Sequence, residues 1–291
     1  MATRVTLLHN PGAGFERYSA EELLRLLHQK GYEVSYTSAK EDYEDALKTP
    51  GDAVVVAGGD GTVQKIAKHL IGHDVPIGLL PLGTANNIAA TLGIAGEPAE
   101  IISGWDLANL HAFNVGQVIG PEGASYFFES VGAGLFPRLI RKREDEKKEK
   151  ASREEELEDA LLHQKEIVNS YRSHACTIRL DGEVLSGDYL MVEVMNIKYA
   201  GPNMELAPEA TPSDGLLDVV LIREDEREQF STFLTRCLNG HENSWLPQVR
   251  QVRKVEVEWQ GKHYHIDDTA HEAEGPVHLE VQLLPQGLLF L

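Results

Sequence analysis

Asp52-Ala53-Val54-Val55-Val56-Ala57-Gly58-Gly59-Asp60-Gly61-Thr62 is the stretch that decides how this chain folds. Asp52 to Ala57 reads as a buried strand. Gly58 to Thr62 is a tight turn, and Val63 to Ile71 continues as a helix-like run. Glycines at a strand-to-helix turn let the backbone approach a phosphate and aim N–H groups at it. The acid inside the turn is unusual for an anion site. A carboxylate beside phosphates makes sense if it holds a divalent cation or takes a proton from an acceptor hydroxyl. The pattern lacks the Gly-Lys-Ser/Thr ending of a P-loop and the spacing of the dinucleotide fingerprint.

The flanking sequence repeats the same rhythm. Val5 to His9 reads as a first strand and ends in a second glycine-rich turn, Asn10-Pro11-Gly12-Ala13-Gly14. Ser19-Ala20-Glu21-Glu22 is a capping-box signal for a helix carrying Leu23, Leu24, Leu26 and Leu27 and stopping at Gly31. A strand follows from Tyr32 to Thr37, a short helix from Asp42 to Lys48, and a strand from Pro76 to Leu80. A third loop, Pro81-Leu82-Gly83-Thr84-Ala85-Asn86-Asn87, enters a helix from Ile88 to Leu92. Alternating strands and helices predict a parallel sheet with right-handed crossovers. The glycine turns fall at carboxyl ends of strands, where open α/β sheets bind ligands.

From about Leu107 strand-like pieces follow one another, at 110–118, 125–131, 175–180, 188–195, 216–222, 253–259, 262–267 and 277–284. This predicts a mostly antiparallel second domain. Arg141 to His174 interrupts it with a dense charge run and then Leu157, Leu161, Gln164, Val168 and Tyr171 at helical spacing. A long surface helix packed along one stripe is expected there, with Ser152 and Glu155 as its cap.

Composition narrows the function. A formal net charge of −19 argues against nucleic acid as the main partner and against a basic membrane-binding patch. Arg141, Lys142 and Arg143 cluster, but neighbouring acids dilute them, which leaves at most transient membrane contact. No apolar run reaches the length of a membrane span, and the N-terminus has no signal-peptide plan. Cys176 and Cys237 are too few for a zinc site or a disulfide framework. A reduced, cytoplasmic protein is expected. His263, His265 and Asp267 alternate on one strand face, which reads as a polar face before a transition-metal site.

The three loops together resemble those of the catalytic family of diacylglycerol kinases, sphingosine and ceramide kinases and bacterial lipid kinases. The resemblance rests on Asn10-Pro11 with Gly14, on Gly58 to Thr62, and on Pro81 to Asn86. Further on, Asn196, Tyr199-Ala200-Gly201, Ala207-Pro208 and Ser213-Asp214-Gly215-Leu216-Leu217-Asp218-Val219 also match, in the family's order. The fold it implies is α/β plus β: a nucleotide-binding domain like that of NAD kinases and phosphofructokinases, then a β-sandwich. The first domain would span 1–108, with a C-terminal return at about 285–291. The second would span 109–284, with a helical insert at about 141–174.

The resemblance implies ATP across the carboxyl ends of the sheet and a lipid-like acceptor alcohol entering between the domains. Asn10, Thr37, Gly58, Gly59, Asp60, Gly61, Thr62 and Thr84 would surround the nucleotide. Asp60 would organise magnesium, and Asp214 with main-chain groups of Thr211 and Leu216 would form a second, structural magnesium site. A turn aspartate before glycine is the plainer reading of Asp214. A homodimer is implied as well.

Two positions depart from the family pattern. Asn87 stands where bacterial relatives often carry aspartate. Thr269, in Asp267-Asp268-Thr269, stands where they carry the acid assigned as proton acceptor. Threonine cannot accept a proton near neutral pH. Sphingosine kinases assign that role to the aspartate of the glycine turn, and the resemblance implies Asp60 as the preferred base, with a shifted Asp268 or Asp267 second; Glu272 and Glu274 lie nearby. Gln64 replaces the usual asparagine. A nucleotide-binding regulatory protein without transfer activity, and a kinase of a soluble alcohol, stay open beside the lipid kinase.

Overall fold

The computed structural model of the chain describes residues 2–13, 17–145, 152–240, 245–285 and 287–291. Gly14 of the first turn and residues 146–151 of the charge run lie outside them. The chain divides into two units, Met1–Asn114 with Pro285–Leu291, and Val115–Leu284.

The first unit is built on strands β1 (Arg4–His9), β2 (Glu33–Ser38), β3 (Ala53–Gly58), β4 (Ile77–Pro81) and β5 (His111–Phe113), with a return strand, Leu288–Phe290. The sheet order is β2-β1-β3-β4, then the return strand, then β5. All neighbours pair in parallel except β5 and the return strand. β3 is buried at all six residues, as a central strand covered on both faces must be. Helices α1 (Ala20–Lys30), α2 (Glu44–Lys48), α3 (Asp60–Lys68), α4 (Asn87–Thr91) and α5 (Pro98–Gly104) join the strands. The Ser19 hydroxyl accepts the Glu22 N–H at 3.2 Å to open α1, and Gly31, at φ 95°, ends it in the left-handed region that glycine tolerates.

α3 starts earlier than its apolar pattern suggests. The N–H groups of Thr62 and Val63 both reach the Gly59 carbonyl, so the glycine turn is itself the first helical turn. Strand order reverses between β1 and β3, and that switch point carries the first two glycine turns.

The second unit holds an antiparallel sheet of β6 (Gly116–Gly120), β7 (Gly123–Phe127), β8 (Ser130–Gly134), β9 (His174–Leu180), β10 (Glu183–Met195), β13 (Leu217–Arg223), β14 (Gln248–Val252), β15 (Lys254–Trp259), β16 (His263–Ile266), β17 (Thr269–Glu272) and β18 (Val277–Leu283). A separate short ribbon pairs β11 (Tyr199–Ala200) with β12 (Met204–Glu205). β10 links the two halves: Glu183–Tyr189 pairs with β9, and past a register shift at Tyr189/Met191 its second half pairs with β8 and β13. The first half alternates in burial, while Tyr189 to Met195 is buried throughout. Strands that change layers at such irregularities form the corners of β-sandwiches.

The expected strand 110–118 is two strands. β5 joins the return strand of the first unit, and β6 pairs with β18. The insert is likewise two helices, α6 (Leu135–Asp145) and α7 (Arg153–Ser170), packed with α8 (Arg227–Leu238). The Ser152 hydroxyl accepts the Glu155 N–H at 3.2 Å, and Leu161, Gln164, Val168 and Tyr171 are buried as their spacing predicts. Among the described residues no helix is long and apolar enough to cross a membrane.

Candidate active site

The glycines of the central turn are needed because three backbones meet there. A Cβ on Gly58 would lie 2.8 Å from the Thr62 side chain, and one on Gly59 would lie 2.9 Å from the Gly83 Cα. A Cβ on Gly83 would collide with Gly59 in return. The Leu82 N–H donates to the Gly58 carbonyl at 2.9 Å, which ties the loop after β4 to the turn after β3. Gly61 faces open space, with no atom within 4 Å of an ideal Cβ. The N–H groups of α3 ahead of Thr62 have no intrahelical acceptor, so this open side suits an anion.

Asp60 lies across the two loops. It is 8% exposed; its Oδ2 accepts the Asn87 N–H at 2.9 Å and its Oδ1 the Ile88 N–H at 3.1 Å. The carboxylate thereby caps α4 from another element, a role that the preceding residue fills in most helices. Here that residue, Asn86, has φ 55° and turns back, its Oδ1 accepting from Gly83 N and its Nδ2 donating to Gly83 O, both at 2.8 Å. Thr84 is partly exposed on the same loop, and Asn87 is buried.

The first turn joins through Asn10. Its Nδ2 donates to the Thr62 Oγ1 at 3.2 Å, and its Oδ1 accepts the Gly12 N–H at 3.2 Å. Beside it opens a cleft of about 350 Å³ lined by Asn10, Ala39, Lys40, Tyr43, Thr62, Lys65 and Ile66. Thr37, paired in register with Leu8, sits one step back on β2 and does not line it. Lys40, Tyr43 and Lys65 escaped the sequence reading. Only Lys65 left a signal, its three-residue spacing from Thr62 on α3, which puts both on one helix face.

In the second unit Asp267 and Asp268 form the two-residue turn between β16 and β17, with Ile266 opposite Thr269. Asp267 has φ 48° and is buried. Its Oδ1 accepts N–H groups from Phe128 at 3.0 Å, Glu129 at 2.8 Å and Ser130 at 3.3 Å, so it binds the link between β7 and β8. Burial, with Asp268 adding, pushes its carboxyl up to about 7 against those donors. Asp268 and Thr269 are exposed. His265 Nε2 lies 2.7 Å from Glu193 Oε1, and its Nδ1 lies 2.8 Å from the Asp267 carbonyl. His263 instead faces Glu272 at 3.5 Å, so the three alternating residues do not converge.

Asp214 is exposed, and its Oδ1 accepts the Leu216 N–H at 2.9 Å. The Thr211 carbonyl accepts from Ser213 and Asp214. Asp218, 2% exposed, went unnoticed in the sequence beyond its place in the motif. Burial pushes its carboxyl up to about 6; Gln251 lowers it, and Asp214 and Glu209 raise it further. Its Oδ1 finds no hydrogen-bond partner among the described residues. Among those residues no three His, Cys, Asp or Glu side chains form a ready metal cluster.

Residues 4–118 match the diacylglycerol kinase catalytic domain, and residues 148–291 match the YegS C-terminal NAD kinase beta sandwich-like domain. A diacylglycerol kinase of Mycobacterium tuberculosis is 25% identical over 303 residues, covering 99% of this chain and 94% of the relative. The "Probable lipid kinase YegS-like" protein of Stenotrophomonas maltophilia is 30% identical over 213 residues, 70% of this chain and 67% of the relative. The fold matches the crystal structure of a diacylglycerol kinase from Bacillus anthracis at a TM-score of 0.71 and 20% identity, over 99% of this chain and 96% of that one. The chain therefore belongs to the diacylglycerol kinase family, in the bacterial branch of these lipid-kinase phosphotransferases.

Proposed function

We propose that the chain transfers the γ-phosphate of ATP to the hydroxyl of a lipid or lipid-like alcohol. The observation that carries this is the meeting of three loops: the Asp60 carboxylate holds the amides of Asn87 and Ile88, Gly59 packs against Gly83, and Asn10 bonds Thr62. Bound magnesium–ATP supplies the transferable phosphoryl group, its charge neutralised by the cation. The amides of Gly58 to Gly61 would face its phosphates, with Asn10, Thr62 and Thr84 to position them and Thr37 behind on β2. Phosphoryl transfer asks mainly for such positioning and charge balance.

Asp60 would hold magnesium or take the acceptor proton, its direction fixed by the Asn87 and Ile88 N–H groups. Asp268, exposed on its hairpin, is the second candidate for the proton. Asp267 is taken up by the amides of Phe128, Glu129 and Ser130. Asp214, with main-chain oxygens of Thr211 and Leu216, would hold the structural magnesium, with Asp218 below it.

The test is to incubate the protein with labelled ATP, magnesium and a total lipid extract. Label in the organic phase, lost in Asp60→Ala, is the expected result. Label on a water-soluble product would instead mean a soluble alcohol as acceptor. ATP binding by calorimetry with label in neither pool would leave a nucleotide-binding protein without transfer. Thr269, exposed where relatives carry an acid, gives that last outcome its motive.

A further inference from the structure

The cleft beside Asn10 contains two ammonium groups contributed by different elements, Lys40 from the segment after β2 and Lys65 from α3. Among the described residues no carboxylate lines it and neither lysine forms an ion pair. Three other lysines are matched, Lys48 with Asp45, Lys142 with Glu166 and Lys254 with Glu256; Lys68, Lys165 and Lys262 also lack an ion pair among the described residues, but none of them lines the cleft. In a chain of net charge −19, two cations left in one concavity mark a place kept for an anion.

Their positions point to which one. The Lys40 ammonium lies over the first turn, where a Cβ on Gly12 would come within 2.6 Å of its Nζ. Gly12 is bonded to Asn10, and Asn10 to Thr62, so Lys40 is two links from the glycine turn. Lys65 follows Thr62 by three residues on the same face of α3. The Tyr43 phenol, raised by burial and by Glu44, stays protonated and adds a donor. The lining side chains thus offer mainly donors.

We propose that Lys40 and Lys65 form a clamp on the polyphosphate chain of the nucleotide, so that the site grips its donor by phosphate number. This rests on the nucleotide reading of the glycine turn, and inorganic tripolyphosphate separates the two ideas. Binding of tripolyphosphate, ATP and AMP is measured by calorimetry on the full chain, for the wild type, Lys40→Gln, Lys65→Gln and the double variant. Lys30→Gln serves as control, since Lys30 bonds the Ser103 carbonyl and does not line the cleft. Matching circular dichroism melts show that each variant is folded.

A lost charge-assisted contact weakens binding about tenfold or more. Each glutamine is expected to weaken ATP and tripolyphosphate by that factor, the double variant by more, and AMP less than threefold. ATP and tripolyphosphate bound equally by wild type and double variant would overturn the clamp and leave the nucleotide reading standing. Lysine-dependent tripolyphosphate binding without any ATP binding would keep the clamp and sink the nucleotide reading. A wild type that binds neither would overturn both.

Discussion

At the scale of one residue, Asp60 caps α4 and, on the proposed function, would also carry chemistry with the same side chain. Sequence marks it as the acid in a phosphate turn, but not as the cap of α4, because its partners lie 27 and 28 residues away. Lys40 was illegible for the same reason, and Lys65 showed only its spacing from Thr62: a cleft is made by loops that meet only after folding. Asp60→Asn keeps the size and loses the charge. One carboxamide atom becomes an N–H donor facing a backbone donor, so one loop contact is lost. That should cost about 1–3 kcal/mol of stability, read from urea denaturation. Transfer should fall by at least about a hundredfold, in line with removal of one electrostatic group from a transition state. A variant that lost the stability but kept the turnover would reduce Asp60 to a strut.

Elements were readable where the pattern was local. The Ser19 cap, the Gly31 stop, the Ser152 cap and the buried stripe of α7 all follow from spacing alone. The segment 110–118 was not readable, since its split is decided by two remote partners, the return strand and β18. On α7 the stripe contains one residue whose chemistry conflicts with its place. Gln164 is fully buried against the layer of α6 and α8, and neither its Nε2 nor its Oε1 finds a hydrogen-bond partner among the described residues. Burying an unpaired polar group costs about 1–3 kcal/mol. Gln164→Leu keeps similar bulk and removes that cost, so it should raise stability by about 1 kcal/mol or more, seen as a higher urea midpoint. A lower midpoint would show that the carboxamide has a partner worth keeping.

At the scale of the whole molecule, protonation sets the conditions for stability. Burial raises Asp267 to about 7 and Asp218 to about 6, against about 3.9 for an unfolded aspartate. Burial opposes the charged ring of His265, but Glu193 and the Asp267 carbonyl outweigh it and raise the imidazole above its ordinary 6.5. In each window the native state binds a proton that the unfolded chain has released. Stability therefore falls as pH rises, through about 6 for Asp218, through about 7 for Asp267 and above 6.5 for His265. Glu166, Glu224, Glu256 and Glu272 work in the other direction. Hydrogen bonds to Lys142, Arg227, Lys254 and Arg141 lower them, so their contribution is complete above about 4.3 and lost only in stronger acid. The net charge of −19 adds self-repulsion as pH climbs. Stability should then peak at about pH 4 to 4.5 and decline above it by about 1.4 kcal/mol per pH unit for each proton in play. Urea midpoints measured from pH 4 to 9 in the presence of a chelator check this. Asp218→Asn should flatten the curve between about pH 4 and 6, and magnesium should do the same to the wild type if the Asp214 loop takes the ion. Midpoints that rise steadily from pH 6 to 8 would mean these buried groups are ionised in the native protein, held by their hydrogen-bond donors against the pull of burial.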